Sequence, residues 1–288
     1  MTTVAAKTQI TLKNILYLTD FSTPSEVALP FATGLARSYG SKLHILHVLT
    51  PVIPEGCNEA IAADIELANT EMERVKAQLG SIDHDATNVT GMELWPAVEQ
   101  ATGNQNVDLI VLGTHGRTHA RKLLMGSVAE EIFRRSSVPV LTVGPDVPRP
   151  LIDAGRFGSI LFAADFSKPC EAASPLAVSL AERCKARLSL LYVAPESDAK
   201  DRQSPQFEQR LHNLVSPVPR TQCQLSTIVK YGEPADRILE TAADCKADLI
   251  VLGVRRAETH LGAATHLERP IAHRVVAHAK CPVLTVRG

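Results

Sequence analysis

The stretch ILYLTDFSTPSEVALPFA at residues 15–32 decides the fold, because the chain repeats it as ILFAADFSKPCEAASPLA at residues 160–177. The match continues without gaps over residues 15–48 and 160–193, where 15 of 34 positions are identical. A repeat of this length indicates one structural unit used twice. The 288 residues therefore predict two domains of about 140 residues each.

Two shorter segments recur in the same order further along the chain. DLIVLG occurs at 108–113 and 248–253, and PVLTV occurs at 139–143 and 282–286. The stretch between the copies, GPDVPRPLIDAGR at 144–156, holds three prolines and interrupts regular structure. We therefore expect a first domain at 1–145, a linker at 146–157 and a second domain at 158–288.

Each copy alternates short, nearly unbroken apolar runs with amphipathic stretches. Such runs are typical of parallel strands that are covered on both faces. The order βαβαβαβαβ predicts an α/β fold: two tandem doubly wound domains, each with a five-stranded parallel sheet of order 3-2-1-4-5. The helices expected in the first copy are Pro24–Tyr39, Glu59–Leu79, Pro96–Gly103 and Ser127–Arg135.

Composition excludes several classes of protein. With 45% hydrophobic residues the chain can fill a core, and a net charge of −1 offers no general basic surface for nucleic acid. No apolar run approaches the roughly 18 residues that span a bilayer, and no apolar leader is found, so we expect a cytoplasmic protein without a membrane partner. The six cysteines form no C-x-x-C, which indicates reduced thiols.

The chemistry of the first copy lies in GTHGRTHARKLLMGS at 113–127, directly after a predicted strand. Gly113 and Gly116 let the backbone turn and approach a ligand without a Cβ in the way. Gly126 and Ser127 open a helix, whose first N–H groups and positive dipole end attract phosphate. Arg117 adds positive charge. The pattern predicts a phosphate-binding loop.

The spacing G-x2-G-x9-G-[ST], after a first strand that ends in Asp, resembles the ATP-binding branch of the universal stress protein family, in its tandem two-domain form. The resemblance implies that Asp20 holds the adenine–ribose end and that Val48 lies beside the adenine. It assigns the ribose and phosphates to the glycine loop, and it implies ATP as the ligand, with Mg²⁺ or Mn²⁺. It also implies that the last strands, Pro139–Val143 and Pro282–Val286, pair the two copies into an internal pseudo-dimer. A further homodimer of the whole chain stays open.

Asp20 has a second reading as the cap of the helix that follows it. Ser22 can take that role equally well, so we expect Asp20 to be free for a ligand. Ser127 has a second reading as a plain helix cap, which is compatible with phosphate binding because both use the same N–H groups.

The second copy departs from the motif. Asp165, Val193 and Gly253 remain, but Arg256 stands where the second glycine belongs and no Gly-Ser pair opens the last helix. We expect ATP binding there to be lost or altered. The halves also differ in charge, −4 for residues 1–149 and +3 for 150–288. A basic cluster contributes to this difference and could bind an anion, bridge to the acidic first domain or form a solvated face: Arg255, Arg256, His260, His266, Arg269 and Arg274.

The sequence predicts an ATP-binding regulatory protein of the stress response. Two alternatives are a scaffold that works without nucleotide and a slow ATPase. No residue is assigned a catalytic role, because no positioned general base stands out. No metal ligands are assigned either: His115 and His119 lie in a loop without a third ligand, and His44 and His47 fall on opposite faces of a strand.

Overall fold

The computed structural model describes residues 10–50, 58–114, 126–148, 155–201, 204–215, 223–255 and 271–288. In the first half the elements are β1 Asn14–Leu18, α1 Thr23–Glu26, α2 Leu29–Tyr39, β2 Lys42–Leu49, α3 Asn58–Lys76, β3 His84–Thr90, α4 Leu94–Asn104, β4 Leu109–Gly113, α5 Ser127–Arg135 and β5 Val140–Val143. In the second half they are β6 Ser159–Ala164, α6 Lys168–Cys184, β7 Arg187–Ala194, a 3-10 helix Glu196–Asp201, α7 Ser204–Leu214, β8 Gln224–Tyr231, α8 Pro234–Asp244, β9 Leu249–Val254, α9 Ile271–His278 and β10 Val283–Arg287.

All ten strands form one sheet, in the order β3-β2-β1-β4-β5-β10-β9-β6-β7-β8. Within each half the strands are parallel and follow the predicted order 3-2-1-4-5. The halves join through β5 and β10, which pair antiparallel. The predicted internal pseudo-dimer through the last strands is therefore confirmed.

Alternation along the strands builds two cores, one on each face of the sheet. In β1, Ile15 and Tyr17 enter the core beneath α2, whereas Leu16 and Leu18 enter the core beneath α4 and α5. All four are buried. Strands covered on both faces explain why the sequence shows continuous apolar runs instead of alternation.

The helix predicted at Pro24–Tyr39 is in fact two helices, α1 and α2. Pro30 lies in the first turn of α2, where its missing N–H costs nothing, and Ala28 precedes that helix without a side-chain cap among the described residues. In the second half, α6 runs through the equivalent Pro175 without interruption. The prediction for α5 matches its bounds, and α4 begins two residues before Pro96.

The seam between the halves is apolar and symmetric. Leu141 lies opposite Leu284, and the two are 1% and 2% exposed. The hydroxyl of Thr142 donates to the carbonyl of Val283 (3.1 Å), and that of Thr285 donates to the carbonyl of Val140 (3.3 Å). Equivalent residues thus make equivalent contacts across a pseudo-two-fold axis.

A second contact between the halves joins α2 to α6. The Arg183 guanidinium lies 4.1 Å from the ring centre of Tyr39 and donates to the carbonyl of Ser38. Gly155 approaches α2 so closely that a Cβ there would lie 2.2 Å from the carbonyl carbon of Gly34. A side chain at position 155 would therefore clash with the backbone of α2.

The described cysteines are free thiols, as expected. Burial raises the pKa of Cys170 to about 11 and that of Cys281 to about 12, so both stay protonated at neutral pH. Among the residues that the structure describes, no helix is both long and apolar enough to cross a bilayer.

Candidate functional site

The carboxyl ends of the strands in the first half bring three predicted site residues to one level: Asp20, Val48 and Gly113. Leu18, at the end of β1, pairs with Leu46 of β2 on one side and with Leu112 of β4 on the other. Asp20 comes two residues after Leu18, Val48 two residues after Leu46, and Gly113 directly after Leu112. The chain leaves β1 toward β2 and returns later to β4, so this edge is the switch point where doubly wound folds bind ligands.

A tight turn fixes the Asp20 carboxylate. Its Oδ1 accepts hydrogen bonds from the backbone N–H of Ser22 (3.0 Å) and from the Ser22 hydroxyl (2.5 Å). Ser22 also caps α1 by accepting from the N–H of Ser25. The expectation that Ser22 and not Asp20 caps the helix is confirmed. Asp20 also holds the turn through its Oδ1, and its role toward a ligand stays a prediction.

Phe21 adopts a backbone conformation that bulky residues rarely take, with φ at 59°. Its N–H donates to the Thr19 hydroxyl (3.0 Å), and its ring centre lies 4.4 Å from that of His47. Nδ1 of His47 donates to the carbonyl of Thr19 (2.8 Å). The sequence analysis did not select Phe21 or His47 for the site, although the repetition of Phe21 as Phe166 was a signal for the turn.

A buried hydrogen bond from β1 to α1 supports the turn from below. The buried Tyr17 hydroxyl donates to the carbonyl of Ser25 in α1 (3.0 Å). Burial raises the pKa of Tyr17, so the phenol remains a neutral donor. The turn that carries Asp20 is therefore held from its own side chains and from the strand below.

Backbone pairing brings the two ends of the glycine loop together. Gly113 ends β4, Thr114 is buried behind it, and the N–H of Gly126 donates to the carbonyl of Thr114 (2.7 Å). Helix α5 begins immediately at Ser127, which is exposed. Gly116 and Arg117, also predicted for the site, lie outside the described residues.

Among the described helices, α5 begins without a side-chain cap, as α2 and α4 also do, and differs in this from α1, α6 and α8. Ser22 caps α1, Ser167 caps α6 and Glu233 caps α8, each through its side chain. In α5 the N-cap is Gly126, and within the described part of the chain no side chain bonds the N–H groups of that turn. A helix N-terminus left in this way can receive an anion.

Among the described residues, no three His, Cys, Asp or Glu side chains are grouped so that they could hold a metal ion. His44 contacts Asp85 (2.8 Å) and Asn14 (3.2 Å), whereas His47 contacts the carbonyl of Thr19. His115 and His119 lie outside the described residues.

The second crevice keeps the turn and changes its surroundings. Oδ1 of Asp165 accepts from the N–H (3.0 Å) and hydroxyl (2.5 Å) of Ser167, and Phe166 has φ at 57°. Here Tyr192 takes the place of His47, at 4.7 Å between ring centres, and the Arg210 guanidinium lies 3.9 Å from the Phe166 ring centre. In the second half, the phenylalanine of the turn thus contacts a larger aromatic ring and also an arginine.

One part of the basic cluster has a partner in its own domain. Arg274 forms ion pairs with Glu233 and Asp236, both at 2.8 Å. The idea that Arg274 bridges to the first domain is therefore wrong, because it joins α9 to α8. Most of the cluster lies outside the described residues: Arg256, His260, His266 and Arg269.

Comparison with known proteins identifies relatives for both halves. The model of the universal stress protein family matches residues 11–144 and again 156–287. Universal stress protein MJ0577 of Methanocaldococcus jannaschii is 27% identical over 152 residues, covering 46% of this chain and 94% of that protein. A universal stress protein of Thermus aquaticus is 33% identical over 136 residues, covering 46% of this chain and 98% of its own. Each relative thus corresponds to about half of the chain.

A solved structure matches the whole architecture. The universal stress protein from Archaeoglobus fulgidus aligns over 95% of this chain and 98% of its own, with a TM-score of 0.74 and 21% identity. This likeness supports the tandem arrangement of the fold.

Proposed function

The chain belongs to the universal stress protein family, and on this premise we propose that its first domain binds ATP at the carboxyl edge of β1 and β4. One observation carries the proposal: α5 begins, without a side-chain cap among the described residues, directly beside the strand end that leads into the glycine loop. N–H groups at such a helix end are suited to a phosphate. The Asp20 carboxylate, on the neighbouring strand end, offers acceptors to ribose hydroxyls.

The two ends of the site suit the two ends of the nucleotide. Val48 is half-buried and offers an apolar surface to the adenine. The N–H of Gly126 holds the two ends of the loop together, and Ser127 after it offers a backbone N–H and a hydroxyl to the phosphates. Arg117 adds positive charge from the loop. The resemblance to the ATP-binding branch assigns the same residues to the same parts of the ligand.

A divalent ion is part of the proposal, as Mg²⁺ or Mn²⁺ held mainly by the triphosphate. Mg²⁺ usually keeps several waters and takes few protein ligands in nucleotide sites. Ser127 fits this chemistry, because its exposed hydroxyl lies where the phosphates are proposed. The ion would neutralise part of the charge of the phosphates.

The proposed role is regulatory. Nucleotide bound against the glycine loop would change the surface offered to partners in the stress response. A slow ATPase and a nucleotide-free scaffold are the alternatives. Steady-state phosphate release that disappears in Ser127→Ala would favour the first alternative, and no ATP binding at all would favour the second.

The test compares two equivalent carboxylates by calorimetric titration with Mg·ATP. Asp20→Asn removes the charge but keeps an acceptor for Ser22, and we expect ATP affinity to fall about 10-fold or more, since hydrogen bonds to charged groups are strong. Asp165→Asn is the matched control, because the same two bonds hold Asp165 in the second domain. It should leave the affinity and a stoichiometry near one unchanged.

The outcome separates the possibilities. Wild-type protein that does not bind ATP overturns the proposal. Equal losses in Asp20→Asn and Asp165→Asn would place the nucleotide elsewhere or in both domains.

A further inference from the structure

Arg287 extends from the second domain onto the proposed phosphate-binding helix of the first. One of its guanidinium nitrogens donates to the carbonyl of Phe133 (2.8 Å) and also contacts the carbonyl of Arg134. Both carbonyls belong to the last turn of α5, where helix carbonyls have no partner within the helix. The second domain therefore supplies the C-terminal cap of a helix in the first.

The backbone of Arg287 is itself firmly held. It is the last residue of β10 and pairs with Val254 of β9. The next residue, Gly288, packs so closely on α6 that a Cβ there would lie 2.6 Å from Cα of Pro169. The backbone from which the guanidinium extends is thus held by β9 and α6.

Helix α5 connects the two sites physically. It has nine residues and so is roughly 13 Å long. Ala129 and Ile132 pack its middle onto the sheet, and its first turn, with Ser127 and Glu130, is exposed. A short packed helix moves as a unit, so a contact at its last turn influences where its first N–H groups point. The positive charge of Arg287 also complements the negative end of the helix dipole.

Among the residues that the structure describes, the first half has none that caps a helix of the second half in the way that Arg287 caps α5. In the alignment of β5 with β10, the position equivalent to Arg287 is Gly144. Gly144 offers no side chain to the end of α9, and a Cβ there would lie 3.6 Å from the carbonyl of Ala279. The half that has lost the glycine motif thus supports the half that keeps it.

We propose that Arg287 is a positioning residue for the nucleotide site of the first domain, acting through α5. The inference rests on the proposed function. It gives the second domain a role in ATP binding that needs no ligand in its own crevice.

The experiment titrates full-length wild type, Arg287→Ala, Arg287→Lys and Arg274→Ala with Mg·ATP, and measures hydrogen exchange of α5 in each. Arg274→Ala is the matched control: it removes an arginine of the same domain whose partners are Glu233 and Asp236. We expect Arg287→Ala to weaken ATP binding about 3- to 10-fold and to speed exchange in α5, because the helix loses its cap and a favourable charge. Arg287→Lys should recover part of the affinity, and Arg274→Ala should stay within about 2-fold of wild type.

Each outcome decides a different question. If wild type binds ATP and Arg287→Ala binds equally well, the inference is overturned and the proposed function stands. If Arg274→Ala weakens binding as much as Arg287→Ala, the effect is general destabilisation and the inference fails. If wild type binds no ATP, the proposed function fails and the inference falls with it.

Discussion

The two halves of the molecule share a scaffold and differ in the polar groups set into it. Both keep the turn in which an aspartate holds the following serine, with a phenylalanine at positive φ between them. Both offer a buried leucine to the seam. The turn and the seam are thus properties of the fold, whereas the glycine loop and its surroundings belong to one half.

A buried position in the second strand of each half shows the difference most clearly. In the first half, His44 is 5% exposed and contacts Asp85, which also pairs with Lys42 (3.1 Å). In the second half the pair in the same register is Ser189 and Ser226, whose hydroxyls lie 3.0 Å apart. Duplication therefore kept the packing and exchanged a charged contact for a neutral one.

The largest expected effect tests the shared part of this comparison. Leu141→Ala and Leu284→Ala each remove a buried side chain from opposite sides of the seam, and each should cost about 2–5 kcal/mol of unfolding free energy. Because the two leucines pair in register, we expect the two losses to be nearly equal. Urea unfolding followed by circular dichroism measures both, and a difference above about 1 kcal/mol would break the proposed symmetry.

A smaller effect tests why the second half keeps a glycine after losing the motif. At Gly253 a Cβ would lie 2.4 Å from the backbone nitrogen of Cys170, so α6 and β9 would have to move apart. We expect Gly253→Ala to cost about 1–3 kcal/mol of unfolding free energy, as overpacking does. The retained glycine would then serve packing and not phosphate.

Gly103→Ala is the matched control for that variant. Gly103 lies in α4, and a Cβ there meets nothing within 4 Å. Alanine should stabilise the helix by about 0.5–1 kcal/mol. A Gly253→Ala protein as stable as Gly103→Ala would show that α6 does not approach β9 as closely as described.

The smallest expected effect concerns the pH dependence of stability that the His44–Asp85 contact gives to the first half. Burial alone would raise the pKa of Asp85, but hydrogen bonds from His44 and Lys42 outweigh it and lower the pKa below its usual value. A lowered pKa stabilises the fold above the unfolded value, about 4, and the contribution disappears as pH falls through the folded value. Since the Asp85 side chain is 40% exposed, we expect Asp85→Asn to cost about 1 kcal/mol or less at pH 7.

Fluorescence of Trp95, the only tryptophan of the chain, reports on α4 of the first half. Unfolding curves of wild type and Asp85→Asn should converge as pH falls below about 4. Ser226→Ala, the counterpart in the second half, should show a difference from wild type that does not vary with pH. A pH-independent difference for Asp85→Asn would mean that its charge is not what stabilises the contact.

Much of the fold follows from local pattern. The repeated stretch predicted two domains, and the short apolar runs predicted parallel strands in the order that the sheet shows. The prediction for α5 was accurate because Gly126 and Ser127 begin it and basic residues end it. The break between α1 and α2 was not predicted, since equivalent prolines interrupt one helix and are accommodated in the other. That choice depends on packing around the proline.

The candidate site divides in the same way. The spacing of glycines after a strand selected the loop, because phosphate binding requires a close backbone approach and a helix N-terminus. The resemblance to the family added Asp20 and Val48. Spacing could not show that the Phe21 ring contacts that of His47, since this contact depends on the register of β1 with β2.

The sequence by itself determined the duplication, the strand order and the half that carries the glycine motif. Each of these can be recognised from short segments: the repeated stretch, the order of the apolar runs and the spacing of the glycines. Only the tertiary structure decided that Arg287 of one half meets the last turn of α5 in the other. These residues are more than 150 positions apart, and nothing local links them. The antiparallel pairing of β5 with β10 turns one half over against the other, and that rotation brings the end of β10 to the end of α5.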